Sequence, residues 1–342
     1  MGPVPLCLLF SLMALGVALG VSQDEDEYTW PQRKVPLVLA ERTIHLSRPE
    51  FSAAAPSELR GACGIECQSQ LPRPSATDLQ RLLAYETVYE NGTRTLTQVS
   101  LRGLEEARGD ERRNGSRVRR RREVYGTDSR FTITDRQFST SYPFSTSVKV
   151  STGCSGILVS PRHVLTAAHC IHDGRDYRQG ARKLRTQVPK GWLQGGAGGL
   201  AVDYDYALLE LKRPHKQKFM DLGIVPSVRE LPASRIHFSG FDDDRPGQLV
   251  YRFCSVSEES GDLLYQHCDT QPGSSGSGVY VRLKEPDKRH WKRKIIGVFS
   301  GHHWLDVNGV QQDYNVAVRI TPAKYAQICH WVHGDSSQCR TA

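Results

Sequence analysis

The part of the chain after Arg122 is a series of short apolar stretches, and this pattern restricts the possible folds more than any other feature. The stretches are separated by segments with glycine, proline and aspartate, which is typical of all-β barrels and sandwiches. A final stretch, 322–332, has helical spacing instead. We therefore expect an all-β fold that ends in one helix. The predicted strands are 144–150, 154–160, 164–168, 183–188, 207–212, 235–238, 249–254, 278–283, 295–300 and 314–320.

The first 20 residues have the pattern of a secretory signal peptide. An apolar run from Pro5 to Val21 contains small residues at Ala18 and Gly20, where signal cleavage is expected. No later apolar run is long enough to cross a bilayer as a helix. The sequence therefore predicts a secreted, extracellular protein with residues 1–20 removed and no membrane anchor.

The cysteines fit this expectation of export. The chain has nine, of which Cys7 lies in the predicted signal. The remaining cysteines are even in number, which in an oxidising compartment predicts disulfide bonds. Glycosylation is predicted at two N-x-S/T sequons, Asn91 and Asn114.

Residues 21–122 differ in composition from the rest. They are rich in charge and show only a short predicted helix over 78–85 and a possible strand over 95–100. The segment ends in arginines at 117 and 119–122. Such a run is either a solvated tail that attracts polyanions or a recognition site for a proprotein convertase. Its place between segments of different composition favours the convertase, cutting between Arg122 and Glu123. We therefore predict a prosegment, 21–122, and a mature domain, 123–342.

A second basic stretch, 282–294, is predicted to be a hairpin. Most stretches of this kind are solvated turns. The alternative is a contact with heparan sulfate or extracellular matrix as a further partner, which the basic excess after Arg122 favours. No sequence feature points to nucleic acid.

Three local patterns carry the candidate chemistry. His169 follows an apolar stretch through the small residues Ala167 and Ala168. Asp205 stands directly before a strongly apolar strand, and Ser275 lies in a glycine-rich turn before another strand. Their order along the chain is therefore histidine, aspartate, serine.

These residue types are those that acyl transfer by a serine requires. The hydroxyl is too weak an acid to attack unaided, so it needs a base of near-neutral pKa and a carboxylate that holds this base in the correct tautomer. The prediction assigns Ser275 as nucleophile, His169 as general base and Asp205 as its orienting group. The backbone N–H groups of Gly273 and Ser275 are the predicted oxyanion hole.

Other interpretations of these residues compete with the catalytic assignment. Asp203 competes with Asp205 for the carboxylate role, but the apolar strand begins one residue after Asp205. His169 and His172 together suggest a metal pair, yet no further ligand has convincing spacing, so we expect no metal or cofactor. An α/β-hydrolase esterase orders its triad differently and needs a G-x-S-x-G motif, which 273–277 does not provide.

The motifs T-A-A-H-C, D-Y-A-L-L-E-L and G-S-S-G-S-G, in this order, resemble the signatures of chymotrypsin-fold serine endopeptidases. The resemblance implies two six-stranded antiparallel Greek-key barrels, a C-terminal helix and a protein or peptide substrate. It also implies disulfide bonds Cys154–Cys170 and Cys254–Cys268. The implied substrate pocket includes Asp269, Thr270 and Ser300.

The chain departs from this family pattern in two places. An aspartate that would pair with a newly formed N-terminus is replaced by Ser274, so cleavage after Arg122 should not activate the protein by that route. Only 36 positions separate His169 from Asp205, which leaves the first barrel incomplete. The predicted function is a secreted serine endopeptidase. The alternative is a catalytically inactive secreted pseudoprotease that acts as an extracellular binding protein.

Overall fold

The structure is a computed structural model that describes residues 29–47, 74–103, 128–173, 176–178, 185–193, 202–285, 290–307 and 310–340. The predicted signal peptide, Cys63, Cys67, Asn114 and the Arg122–Glu123 bond lie outside these ranges. Within the described ranges, none of the helices has the length and apolar character needed to span a membrane.

Sixteen strands and four short α-helices are described, so the protein is mostly β-structure. In chain order the strands are β1 (Leu37–Leu46), β2 (Tyr85–Tyr89), β3 (Arg94–Arg102), β4 (Phe131–Ile133), β5 (Ser147–Val150), β6 (Cys154–Ser160), β7 (His163–Thr166), β8 (Arg185–Pro189), β9 (Ala207–Glu210), β10 (Asp221–Leu222), β11 (Arg235–Gly240), β12 (Leu249–Glu259), β13 (Leu263–Gln266), β14 (Gly278–Lys284), β15 (Trp291–Val307) and β16 (Val310–Arg319). The helices are α1 (Ala76–Leu83), α2 (Arg136–Ser139), α3 (Lys190–Leu193) and α4 (Pro322–His333).

The second half of the chain forms a closed barrel. Its strands pair in the order β15, β14, β11, β12, β13 and β16, and an additional pairing of β15 with β16 closes the ring. Strands β4 and β10 pair with β12 and β15 from outside this ring. The C-terminal helix α4 begins at a Thr321 cap that accepts from the Lys324 N–H, and it ends at Gly334. The predicted chymotrypsin-like fold class is confirmed.

The first sheet has eight strands in the order β1, β3, β2, β8, β9, β7, β6 and β5. Its strands β1 to β3 come from the predicted prosegment. Strand β2 pairs antiparallel with β8, from Tyr85 opposite Pro189 to Tyr89 opposite Arg185. Within its described residues, the short connection between His169 and Asp205 supplies one strand, β8, and without β2 one edge of β8 would be unpaired. The N-terminal segment therefore provides the strand that pairs with this edge.

Contacts with the C-terminal helix also fix this N-terminal segment. The Leu83 carbonyl accepts a hydrogen bond from the Gln327 side-chain amide, and both residues are fully buried. The Tyr85 ring meets the edge of Trp331 at 5.4 Å between centroids. Leu83 and Tyr85 of the segment 21–122 are thus part of the core. These contacts join positions more than 200 residues apart, which local patterns cannot reveal.

The described ranges contain three disulfide bonds. Both predicted pairs, Cys154–Cys170 and Cys254–Cys268, are bonded, and Cys329 is bonded to Cys339. One hydrophobic core contains residues of both sheets, including Leu165 of β7 and Val298 of β15. The first sheet therefore packs directly against the barrel, and the candidate site lies where they meet.

Candidate active site

His169 lies in a 3₁₀ turn, Ala168–Cys170, that directly follows strand β7. Ala167 and Ala168 are fully buried, so the backbone packs closely behind the imidazole. The disulfide from Cys170 to Cys154 ties this turn to β6. The sequence places the histidine on a rigid support, since both of its flanks are fixed by packing or by a covalent bond.

Asp205 stands at the start of β9 and is 1% exposed. Its carboxylate accepts from the His169 Nδ1–H at 2.7 Å and from the His169 backbone N–H at 2.8 Å. The Ser300 hydroxyl donates to the same carboxylate at 2.5 Å. Three donors thus orient Asp205. A neutral His169 with its proton on Nδ1 presents Nε2 as an acceptor, which is the tautomer that a general base needs.

Burial and pairing act in opposite directions on the two pKa values. Burial lowers the pKa of His169, but the adjacent Asp205 carboxylate outweighs it and raises the pKa above 6.5. Burial raises the pKa of Asp205, but His169 and the hydrogen bonds to the carboxylate hold it below its usual range. The His169 side chain remains 30% exposed, so its ring also faces solvent. Asp205 therefore stays ionised and His169 is easily protonated.

Ser275 lies in a turn that two glycines make possible. Gly273 has a φ of 96° and Gly276 a φ of 85°. A Cβ at Gly273 would lie 2.4 Å from the Phe241 carbonyl oxygen, and one at Gly276 would lie 2.2 Å from the Ser155 carbonyl oxygen. Only glycine fits at either position. Within the described residues, the N–H groups of Gly273 and Ser275 donate to no protein acceptor.

Ser275 and His169 both lie next to the Cys154–Cys170 disulfide, but no hydrogen bond joins their side chains. The Cys170 Sγ is 3.7 Å from the His169 Nε2 and 3.7 Å from the Ser275 carbonyl oxygen. The Ser275 hydroxyl, however, donates to the Ser300 carbonyl at 3.0 Å. The described hydrogen bonds do not include one between Ser275 Oγ and His169 Nε2. The histidine–aspartate link is therefore formed, and the serine–histidine link is not.

Ser155 supports the glycine-rich turn and was missed by sequence reasoning. Its hydroxyl donates to the Gly273 carbonyl at 2.8 Å and accepts from the Phe241 N–H at 2.8 Å. Ser155 is fully buried and follows Cys154 directly. Its partners lie in distant parts of the sequence, so no local pattern identifies this role. The hydroxyl fixes the position of the predicted oxyanion donors.

A cavity of about 670 Å³ opens beside Ser275. Asp269 and Thr270 line it, whereas the Ser300 side chain is directed at Asp205. One Asp269 oxygen accepts from the Ser129 N–H at 2.8 Å and from the Ser129 hydroxyl at 2.7 Å. This carboxylate is thus already engaged by the protein. The other lining residues are Asp128, Arg130, Gln271, Pro272, Ser274, Phe299, Gly301, His302, Asp313 and Asn315.

Arg130, which lines the cavity, is the centre of an ion-pair cluster. The Arg130 guanidinium is 7% exposed and contacts Asp242 at 2.8 Å and Asp244 at 2.8 Å. The neighbouring Asp243 N–H donates to the Pro272 carbonyl at 2.7 Å. Ser274 takes no part in an ion pair, and its hydroxyl donates to the Gln271 carbonyl at 2.7 Å. Arg130 therefore fixes the 242–244 segment, which is hydrogen-bonded to the loop that precedes Ser275.

The competing interpretations find little support in the geometry. Burial and the nearby Asp262 raise the pKa of Asp203 to about 7, and its interactions are with Asp262 and Lys324 rather than with His169. Within the described residues, Cys154, His169 and Cys170 form a group of potential metal ligands. Both sulfurs belong to a disulfide bond, so this group offers no thiolate.

Comparison with known proteins shows the family to which the chain belongs. The family described as "Trypsin" matches residues 132–327. The chain is 51% identical to "Inactive serine protease 35" of Macaca mulatta, with 93% of this chain and 95% of that protein covered. It is 50% identical to "Serine protease 23" of Bos taurus, with 98% of each covered. A solved Glu endopeptidase in complex with MPD covers 61% of this chain and 99% of its own, with 21% identity and a TM-score of 0.46. The chain therefore belongs to the trypsin family of chymotrypsin-fold proteins, together with serine proteases 35 and 23.

Proposed function

We propose that this protein is a secreted serine endopeptidase that hydrolyses peptide bonds through Ser275, His169 and Asp205. The observation that carries the proposal is the doubly hydrogen-bonded pair of His169 and Asp205 beside a serine in a glycine-rich turn. The open cavity next to Ser275 has room for a substrate side chain.

In the proposed mechanism, the Ser275 hydroxyl turns from the Ser300 carbonyl to His169 Nε2 and gives up its proton as Oγ attacks the substrate carbonyl. Asp205 stabilises the imidazolium that forms. The free N–H groups of Gly273 and Ser275 bind the developing oxyanion, and removal of one such donor would cost about 3 kcal/mol in the transition state. The same imidazolium then protonates the leaving amine, and water hydrolyses the acyl-enzyme.

The proposed activity does not depend on the N-terminus that trypsin-like zymogens expose. Ser274 offers no carboxylate for a new ammonium, whereas Arg130 already supplies a buried cation to the loop that contacts Pro272. A proprotein convertase cutting after Arg122 would, on this proposal, process the chain without assembling the site.

Export and glycosylation complete the proposal. Asn91 is exposed in the turn between β2 and β3, where a glycosyltransferase can reach it. Its side-chain oxygen accepts from the Thr93 N–H at 3.0 Å, which shapes the sequon turn. The second sequon, Asn114, remains a prediction. Heparan sulfate or matrix remains a proposed partner.

A second candidate function has a specific observation in its favour. The Ser275 hydroxyl is hydrogen-bonded to Ser300 rather than to His169. The relatives named "Inactive serine protease 35" are also described as inactive. A pseudoprotease that binds an extracellular partner is therefore the alternative.

Peptide hydrolysis distinguishes the two functions. Purified full-length protein, before and after cleavage at Arg122, is incubated with a diverse peptide mixture, and new termini are identified by mass spectrometry. The proposal expects new termini that are absent with Ser275→Ala. The same result with Ser275→Ala as with the unchanged protein would contradict it and favour the binding protein.

A further inference from the structure

The outer face of the closed barrel combines arginines with aromatic rings, and nothing in the proposed active site uses it. On β11 the residues Ile236 and Phe238 point into the core and are fully buried, so Arg235 and His237 point outward. The cross-strand register continues this face over neighbouring strands. We call it the basic–aromatic face; it comprises Phe131 (β4), Arg235 and His237 (β11), Tyr251 and Phe253 (β12), Arg282 (β14), and Trp291 and Arg293 (β15). The buried Tyr280 of β14 stacks against His237, with 5.5 Å between ring centroids.

Three guanidinium groups of this face rest against aromatic rings. Arg235 lies 5.1 Å from the Phe253 ring centroid, and Arg282 lies 5.1 Å from that of Trp291. Arg293 lies 6.0 Å from the ring of Tyr142. Cation–π contacts of this kind restrict the side chains and lower the entropy cost of holding a ligand.

These arginines also differ from others in the protein by their lack of carboxylate partners. Within the described residues, Arg235, Arg282 and Arg293 form no ion pair, whereas the buried Arg130 and Arg252 are both paired with Asp242. The described residues of the basic–aromatic face include no aspartate or glutamate. Among the described residues, no carboxylate therefore neutralises the positive charge of Arg235, Arg282 and Arg293.

The effect of this charge is visible at His237, in the middle of the face. Burial and the nearby Arg235, Arg293 and Arg282 lower its pKa to about 4. The guanidinium groups of three different strands therefore all contribute to the lowered pKa of His237.

Aromatic surface accompanies the charge. Phe131 is 54% exposed, Trp291 46% and Phe253 37%. Phe131 and Phe253 are stacked with centroids 6.0 Å apart and an interplanar angle of 5°. Large apolar side chains exposed together indicate a binding surface more often than scattered ones do.

We propose that the basic–aromatic face binds a sulfated glycosaminoglycan. Guanidinium groups match the paired oxygens of sulfate as they match those of phosphate and carboxylate. The face crosses β12, β11, β14 and β15, about 14 Å at the usual strand spacing, and its exposed side chains include Arg235, Phe253 and Trp291. Such a width suits an extended polyanion better than a single ion. A glycan rather than a nucleic acid follows from the proposed export, on which this inference rests; it does not depend on catalysis.

The structure changes the location expected from sequence. The basic stretch 282–294 contributes Arg282 and Arg293, which lie opposite each other on β14 and β15. Arg235, however, is joined to them only by the fold, through β11. The proposed surface is thus a sheet face rather than a hairpin tip.

Heparin binding by the full-length protein tests the inference. The variant Arg235→Gln/Arg282→Gln/Arg293→Gln should bind immobilised heparin about tenfold or more weakly and elute at lower salt. The matched control, Arg213→Gln/Lys216→Gln/Lys218→Gln, removes the same charge from another exposed basic segment and should change affinity much less. The variant Arg235→Lys/Arg282→Lys/Arg293→Lys keeps the charge but loses the guanidinium geometry, so its affinity should be intermediate.

Several results would overturn the proposal. These are equal losses in the two Gln variants, full affinity in the Lys variant, absence of heparin retention at physiological salt, or equal binding of heparin and unsulfated hyaluronan. Tighter binding of single-stranded DNA than of heparin would assign the face to nucleic acid instead. Ser275→Ala should bind heparin like the unchanged protein, so a failure of the proposed catalysis leaves this test unaffected.

Discussion

The N-terminal segment should be as important for stability as the domain that carries the candidate site, and Leu83→Ala tests this. Leu83 ends α1, is fully buried and belongs to the core shared by both sheets. Truncation of a buried leucine to alanine costs about 3 to 4 kcal/mol, from lost burial and the cavity left behind. For a chain of 342 residues, that corresponds to a lowering of Tm by roughly 4 to 6 °C.

The assay is differential scanning calorimetry of the purified full-length chain. Leu83→Ala should lower the temperature of a single main transition. Leu46→Ala at the half-buried end of β1 makes the same chemical change and should have a much smaller effect. If the N-terminal segment folds independently, Leu83→Ala will instead create or shift a separate minor transition and leave the main one unchanged. That result would refute the assignment of the segment to the common core.

Four further outcomes are expected. After specific cleavage at Arg122, the N-terminal fragment should co-elute with the rest in native gel filtration and separate only in denaturant, since β2 pairs with β8. Asp205→Asn should reduce any Ser275-dependent rate about 10⁴-fold and lower the pKa of His169, seen by NMR titration. Gly276→Ala should abolish reactivity of Ser275, because its Cβ would meet the Ser155 carbonyl, whereas Gly247→Ala, with open space around it, should retain it. Acidification from pH 6.5 towards 4 should lower the free energy of unfolding, measured with urea, by up to about 1.4 kcal/mol per pH unit through His163.

The sign of the last effect follows from the burial of His163, which lowers its pKa to about 4. The unfolded chain binds this proton near pH 6.5 and the folded chain only near pH 4, so protons favour unfolding between these values. His163→Gln should reduce the pH dependence in this range. An unchanged dependence would show that other groups cause it.

Much of the second barrel could be predicted from sequence because its strands carry strong local patterns. The stretches 235–238 and 278–283 correspond closely to β11 and β14, and the helix predicted over 322–332 is α4. Strand β13, Leu263–Gln266, was missed because it is short and lies close to β12, with no alternating pattern of its own. Local apolar patterns are reliable only where burial alternates or runs along several residues.

The completion of the first sheet could not be predicted in the same way. The short helix and the strand in the N-terminal segment were recognised as α1 and β3, but their pairing partners lie far along the chain. The short connection before Asp205 suggested unpaired edges. In the structure β2 pairs with β8. This position of β2 is fixed by contacts of Tyr85 with Trp331 and of Leu83 with Gln327.

In the candidate site, too, the features that depend on long-range contacts could not be predicted. Motif order placed His169 next to Asp205, because each motif carries its own rigid support. The direction of the Ser275 hydroxyl and the contributions of Ser155 and Arg130 depend on contacts between loops. Such contacts are set by tertiary packing, so a single sequence does not encode them in any readable local pattern.

In the proposed mechanism Ser275 is an activated nucleophile, and covalent labelling detects such a group without a substrate. The purified protein is treated with a fluorophosphonate, and the modified residue is mapped by tandem mass spectrometry. We expect one adduct on Ser275, lost in His169→Ala while the variant remains folded. A folded protein that stays unlabelled, or that is labelled equally with and without the His169 imidazole, would contradict it.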